Sequence, residues 1–385
     1  MEDIEHYIQD SCELLAVAKL QKLAEDASRA ITRDARDKFA AYDAYRLDPG
    51  RNVDEPLLAD KHAKHFRTYK SNLETHLPGF FTRLCEYLPG ESFNFIDVER
   101  EARNDGGRED FLIDRSSGEP IRMSLKNYRK SAARPQVCSG TWNSFIVNFL
   151  FAGAGAVGMV LHPHTGAVFK GSDREARDQA IGDLGLAEIL PLVHQTDDLN
   201  DELRAIFVDG DAFKFYDEVL FNEARKRFGL QGVALAEQVL RKVGDERVKA
   251  RVLTLAGLDA GDEVLLIDPT RCADSLTSRK FHEIRERALN PSSAIVFEPS
   301  GQTLTFWITD GGEQRILPVS VPFTINSNGA WWRDGEPFEG TREKNDKGHI
   351  LHLRYGQRRP YKSRELATSV NTYLELKKAG IFDDS

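Results

Sequence analysis

The chain has 385 residues, 41% hydrophobic and 29% charged, a globular balance with ample material for a core and enough length for two or three domains. No apolar run approaches the ~20 residues of a membrane-crossing helix, and Met1-Glu-Asp-Ile-Glu5 lacks the basic, apolar start of a secretory signal, so a cytoplasmic location is expected. The net charge of −9 does not exclude a nucleic-acid partner, because binding depends on where positive charge is concentrated.

Residues 3 to about 46 read as helix, with Leu14, Leu15, Val17, Leu20 and Leu23 at roughly helical spacing, broken by Asp48-Pro49-Gly50. A second helical stretch runs from Glu55 to Tyr87 and carries His62, His65 and His76. His62 and His65 make half of a metal site at most, and a solvated helix face suits them. From Ser92 the pattern shortens to strands at 93–96, 111–113 and 121–125. Ser116-Ser-Gly-Glu-Pro120 is a turn signal that makes the last two a hairpin. Trp142–Phe151 reads as a buried helix, and Val157–Phe169 as one or two strands around His162-Pro-His164, a polar turn or a two-histidine arm. Residues 172 to about 256 are mostly helical, with breaks at Gly185 and Gly244. Strands follow at 264–267, 294–297, 303–308 and 315–321, and a last helix is expected from Lys362 to Ala379. The pattern divides the chain into a helical N-terminal region (1–90), a core with a helical extension (91–260) and a strand-rich C-terminal region closed by the final helix (261–385).

The four cysteines, Cys12, Cys85, Cys138 and Cys272, form no Cys-x-x-Cys pair. That argues against a zinc ribbon or a disulfide framework and leaves them as small hydrophobes. Two segments reverse the overall charge. Arg122, Lys126, Arg129, Lys130 and Arg134 follow one another without an acid, and Arg342–Arg364 includes Arg354, Arg358, Arg359 and Lys362.

The first basic run overlaps the residues with the most chemical promise. In a hairpin over 110–126, Asp110 enters the first strand beside the end of the second. Alternation puts Ser124 and Lys126 on one face and turns Leu125 into the core. A carboxylate, a hydroxyl and an ammonium then meet at one spot on a rigid sheet. Phosphodiester hydrolysis needs that combination. A carboxylate holds Mg²⁺, the metal polarises the phosphoryl oxygen and acidifies a bound water, and a lysine orients that water and offsets charge on phosphorus.

An Asp before a strand, a hairpin and then an acidic-x-Lys strand resembles the PD-(D/E)xK nucleases, a superfamily that includes many type II restriction endonucleases. The resemblance covers residues 93 to 150. Lys126-Asn-Tyr-Arg-Lys130, Gln136-Val-Cys-Ser-Gly-Thr-Trp142 and Arg358-Arg-Pro-Tyr-Lys-Ser-Arg364 are also similar to bacterial restriction enzymes. It implies an α/β fold with a mixed sheet core flanked by helices, Asp110 as metal-binding aspartate and Lys126 as catalytic lysine. This chain departs from the pattern twice. Glu109 replaces the proline, and Ser124 replaces the acidic residue before Lys126, so a second carboxylate must come from elsewhere, Glu101 ahead of Glu99. Asp114 lies roughly 13 Å along the strand from Asp110, too far for one ion. The resemblance further implies double-stranded DNA as substrate, Mg²⁺ as cofactor, a homodimer with two dyad-related active centres, and a DNA methyltransferase that protects the host's own sites. Arg129, Lys130, Arg134, Gln136, Arg358, Arg359 and Lys362 are the expected DNA contacts, through phosphates or guanine edges.

Two alternatives stay open. One is a DNA-binding protein without catalysis, in which Asp110 and Lys126 form a surface ion pair. The other is a nucleotide-dependent enzyme using Gly153-Ala-Gly155-Ala-Val-Gly158, with Asp173 beyond it. That fingerprint demands a strand before and a helix after, and Met159-Val-Leu-His-Pro163 suits a helix poorly. Asn326–Trp332 presents two adjacent tryptophans, as suited to one core and one surface position as to DNA.

Overall fold

The computed structural model describes residues 4–31, 45–46, 60–98, 109–130, 134–138, 149–153, 159–162, 164–171, 173–209, 212–213, 218–255, 258, 262–311, 314–333, 336–338, 362–370 and 372–381. Helix α1 (Ile4–Asp26) buries Val17, Leu20 and Ala24. It ends well before the expected residue 46. Ser28 takes a left-handed φ of 55°, and the Arg29 N–H reaches back to the Ala24 carbonyl at 2.7 Å. The chain then runs beside Phe93, whose N–H donates to Arg29 O at 2.7 Å.

Strand β1 (Tyr45–Arg46) and helix α2 (Asp60–Tyr87) precede β2 (Phe93–Val98), β3 (Phe111–Arg115) and β4 (Ile121–Asn127). Four short strands follow: β5 (Gln136–Cys138), β6 (Ala152–Gly153), β7 (Met159–Leu161) and β8 (Val168–Lys170). The helical stretch holds α3 (Arg174–Asp183), α4 (Leu190–Phe207), α5 (Glu218–Val243) and α6 (Asp245–Leu255), with β9 (Val208–Asp209) and β10 (Ala212–Phe213) between α4 and α5. Gly185 at φ 73° and Gly244 at φ 95° make the breaks that the sequence marks.

Beyond it lie β11 (Asp262–Ile267), β12 (Cys272–Asp274), α7 (Arg279–Leu289), β13 (Ala294–Ser300), β14 (Thr303–Thr309), β15 (Arg315–Arg333), β16 (Glu336–Phe338), β17 (Lys362–Val370) and β18 (Thr372–Leu374). Helix α7 falls among the strands expected there. Ser278 caps it by accepting the Phe281 N–H, and Phe281, Ile284 and Ala288 face the core. The last helix expected from Lys362 is a strand instead. Its Arg-Glu-Leu-Ala run suits a helix, but Thr368 and Val370 pair with Ile325 and Phe323 of β15, and the ladder outweighs local propensity.

The protein is mixed α/β, with seven helices among the described residues. One sheet has the order β1-β2-β3-β4-β11-β12. Strands β1 to β4 run antiparallel, and β11 lies parallel to β4 in unbroken register from Arg122↔Asp262 to Asn127↔Ile267. Parallel neighbours need a crossover, here the helical stretch. The first two strands after residue 260 thus belong to the sheet that carries Asp110. The second sheet follows the path β13-β14-β15-β17-β10-β9, with β16, β18 and β5 joined to it, and β6-β7-β8 form a third. No helix among the described residues is long and apolar enough to cross a membrane.

Two apolar clusters fill the interior among the described residues. The smaller packs α1 and α2 onto one face of the first sheet through Phe93, Phe95, Phe111, Met123, Leu125 and Leu265. Arg83 of α2 also reaches the buried carboxylate of Asp274 at 2.9 Å. The larger gathers α5, α6 and the second sheet and takes in Val264 and Leu266 from the other face of β11. Cys12, Cys85 and Cys272 are free. Burial pushes the Cys272 thiol up to about 11, against the pull of the nearby Arg83, so it stays a neutral packing group.

Candidate active site

The hairpin forms as the sequence predicts, with Phe111 opposite Met123 and Ile113 opposite Ile121. Its turn is fixed from both sides. Gly118 supplies φ 85°, a region that costs other residues dearly. Glu91 accepts the Ser116 hydroxyl at 2.7 Å, the Ser117 N–H at 2.9 Å and the Ser117 hydroxyl. These donors hold its carboxyl down at about 2. With the turn set, register carries Asp110 to the far end of the hairpin. Its N–H donates to Met123 O at 2.7 Å and its carbonyl accepts from Val98 at 3.3 Å.

There the three expected groups meet. Asp110 Oδ2 accepts the Leu125 N–H at 2.6 Å, the Ser124 hydroxyl at 3.1 Å and the Lys126 ammonium at 3.5 Å. Lys126 Nζ donates to Ser124 Oγ at 2.6 Å. Ser124 therefore bridges lysine and aspartate. Asp110 and Ser124 are buried, whereas the Lys126 side chain is 28% exposed. Leu125 points the other way, into the cluster beneath α1 and α2. Val264 and Leu266 of β11 stand beside Ser124 and Lys126 in register, so an apolar parallel strand braces the site strand. The result is a rigid carboxylate and hydroxyl with an ammonium at the solvent edge.

Among the described residues, no group of three or more His, Cys, Asp or Glu is placed to hold a metal ion. The donor set fits a hard cation in part, since Asp110 gives a carboxylate and Ser124 a weaker hydroxyl oxygen. Glu101 and Glu99 lie outside the described residues. Glu109, noted in the sequence only as a replacement for proline, is 2% exposed and its Oε2 has no hydrogen-bond partner among the described residues. An unmatched buried carboxylate oxygen is costly, and nothing in the sequence flagged it. Asp114 is fully buried, four residues further along β3. Asp268, just past β11, caps its own loop by accepting the N–H groups of Thr270 and Arg271 at 2.8 and 2.7 Å.

The expected DNA contacts scatter. Arg129 and Lys130 are exposed just past β4. Arg134 is engaged within the fold: Nε donates to Glu375 at 2.6 Å, Nη2 to Ser320 at 3.0 Å, and its guanidinium lies 4.5 Å from the Tyr373 ring centre. The backbone of Gln136 opens β5, opposite Tyr373. That of Lys362 opens β17, between Ala330 and Ala212. Arg358 and Arg359 lie outside the described residues. Of the glycine fingerprint, Gly153 ends β6 and residues 154–158 lie outside the described residues. Strand β7 follows where nucleotide binding needs a helix. His162 sits in a turn, its Nδ1 accepting the N–H groups of His164 and Thr165 at 3.1 and 3.2 Å. That acceptance puts the ring proton on Nε2, facing Asp183 at 3.5 Å.

No family model, curated protein or solved structure matches the chain.

Proposed function

We propose that this protein is a metal-dependent, site-specific endonuclease of the restriction type acting on double-stranded DNA, with Asp110 and Lys126 at the reacting phosphate. The observation that carries it is the convergence of Asp110, Ser124 and Lys126 at one end of a braced hairpin, with Lys126 Nζ within 3.5 Å of Asp110 and open to solvent. The mixed α/β architecture supports the reading at the level of fold class.

Asp110 would hold Mg²⁺ together with a second carboxylate, from Glu101 as the sequence suggests or from Glu109 with its unmatched oxygen. Such a cation supplies Lewis-acid polarisation of the phosphate and a more acidic water. The chain's own groups do the rest. The Leu125 N–H and Ser124 hydroxyl fix the Asp110 carboxylate, so it needs no reorganisation when charge develops. Ser124 also keeps the Lys126 ammonium from closing fully onto Asp110, leaving it able to orient a water and offset charge on phosphorus. Cutting both strands of a symmetric site calls for a homodimer, and a resident DNA methyltransferase is its functional counterpart.

The second reading, a DNA-binding protein without catalysis, is favoured by Ser124 standing where a carboxylate would complete a metal site. Incubating purified protein with Mg²⁺ and unmethylated plasmid DNA of several origins separates the two. Discrete fragments from the wild type, lost in Asp110→Ala and in Lys126→Ala, are expected. Intact DNA throughout, or variants that cut normally, would remove the catalytic assignment.

A further inference from the structure

Helix α2 packs on the first sheet through Phe66, Leu73, Leu77 and Phe80, and apolar burial holds such a seam without fixing a direction. Asn72, directly before Leu73, is 5% exposed. A buried carboxamide is costly unless its hydrogens find acceptors. Here Asn72 Nδ2 donates to Asn127 Oδ1 at 3.1 Å and to Tyr128 O at 2.8 Å. Asn127 Nδ2 returns a bond to Tyr69 O at 3.0 Å. Directional bonds thus join one turn of α2 to the two residues that follow Lys126.

The bonds fall where β4 loses one neighbour. The β3–β4 ladder ends with Phe111 opposite Met123. Beyond it the Leu125 N–H goes to the Asp110 carboxylate instead of a β3 carbonyl. From there β4 keeps β11 along its other edge, through Asn127↔Ile267 and the Tyr128 N–H to Ile267 O at 2.9 Å. A strand held along one edge can still twist, and twist would swing Lys126 away from Ser124 and Asp110. Side chains alternate along a strand, so Lys126 and Asn127 point to opposite faces. Fixing the Asn127 carboxamide against α2 therefore fixes the direction of Lys126, whose Nζ donates to Ser124 at 2.6 Å. Further along, Arg83 fastens α2 to Asp274 at 2.9 and 3.3 Å, on β12 at the sheet edge, two strands from β4.

We propose that Asn72 and Asn127 are positioning residues that hold Lys126 over Ser124 and Asp110. Their consequence for cleavage rests on the nuclease reading, and the test keeps the two apart. Trace acetylation of the lysines, quantified by mass spectrometry, reads the freedom of the Lys126 amine without any need for activity. Asn72→Leu removes the bonds and keeps a branched side chain in the seam. Asn127→Ala cuts the same link from the half-buried strand side, in case the first variant does not fold. Arg83→Gln loosens α2 from β12 as a control, and circular dichroism checks folding. The expected result in both asparagine variants is Lys126 labelled faster, relative to the exposed Lys242, by on the order of fivefold, the shift that losing one hydrogen bond produces. Arg83→Gln should label as the wild type does. In plasmid cleavage kcat should fall by on the order of tenfold or more while KM stays within about twofold, because the lysine is misplaced and duplex binding is untouched. Unchanged labelling in a folded asparagine variant, an equal gain in Arg83→Gln, or an undiminished kcat in a protein that cuts would each overturn the proposal. A wild type that never cuts, but whose Lys126 labelling still answers to Asn72, would instead remove the nuclease reading and keep the positioning role.

Discussion

Charged side chains enter the interior at several places, and two of these hold them in opposite ways. Between α3 and α4, Arg177 is 1% exposed and grips Asp197 with two donors, at 3.1 and 2.8 Å. It holds Asp178 with two more, at 3.0 and 2.9 Å. His194 braces Asp178 from outside at 2.6 Å, and Arg174 links Asp197 to Asp201. Burial alone would loosen the Arg177 proton, but the hydrogen bonds and charge of Asp197 outweigh it and hold the pKa up. At the hairpin, Lys126 is 3.5 Å from its carboxylate, 2.6 Å from a neutral hydroxyl, and partly in solvent. The first arrangement is a closed set in which forked donors meet forked acceptors. The second leaves a partly exposed cation whose contacts with Asp110 and the Leu125 carbonyl, both at 3.5 Å, are long. A fully matched buried charge holds the fold in one state, whereas a loosely matched one at an edge can still act on a ligand.

If that contrast is sound, stability should separate the two places. Arg177→Ala leaves the buried Asp197 without its main partner and is expected to cost about 3–5 kcal/mol in urea unfolding. Within the hairpin, Gly118→Ala forces a side chain into φ 85° and is expected to cost about 1–2 kcal/mol. The added Cβ also displaces the Arg115 guanidinium, whose Nη2 would lie 2.3 Å away, although that flexible end can move. Lys126→Ala should cost less than about 1 kcal/mol, as expected of a partly exposed pair, while removing cleavage. A Lys126→Ala loss as large as that of Arg177→Ala would make the site a structural ion pair and end the contrast.

The hairpin was legible because its signals are local. Ser116–Pro120 marks the turn, apolar residues flank it, and period-two alternation then fixes which side chains share a face with Lys126. Its supports were not legible. Strand β11 joins β4 across the whole helical stretch, and no short-range pattern names a parallel partner. Arg364-Glu-Leu-Ala367 of β17 favours a helix locally, and the ladder to β15 that overrides it is a long-range fact. Helix α7 is short and set among strands, so the helical spacing of Phe281, Ile284 and Ala288 does not stand out. Glu109 stands in the sequence only where a proline would, and its burial with an oxygen unmatched among the described residues follows from the fold.

The smallest expected effect lies at the turn and tests whether the hairpin depends on a surface charge. Glu91 is held at about 2 by the Ser116 hydroxyl, the Ser117 hydroxyl and the Ser117 N–H, in that order. An unfolded glutamate titrates near 4.3, so the folded pKa is the lower of the two. Its contribution is therefore fully present above the unfolded value and is lost as pH falls from about 4.3 towards 2, where both states become protonated. Glu91→Gln keeps the shape of the side chain but cannot gain or lose this proton. Urea midpoints for wild type and variant should differ most above pH 5, converge through that window and differ least near pH 2. A gap that stays constant with pH would mean that Glu91 acts through packing or neutral hydrogen bonds alone. The turn would then be set by Gly118 and the strand ladder, and the site at the other end of the hairpin would owe nothing to this charge.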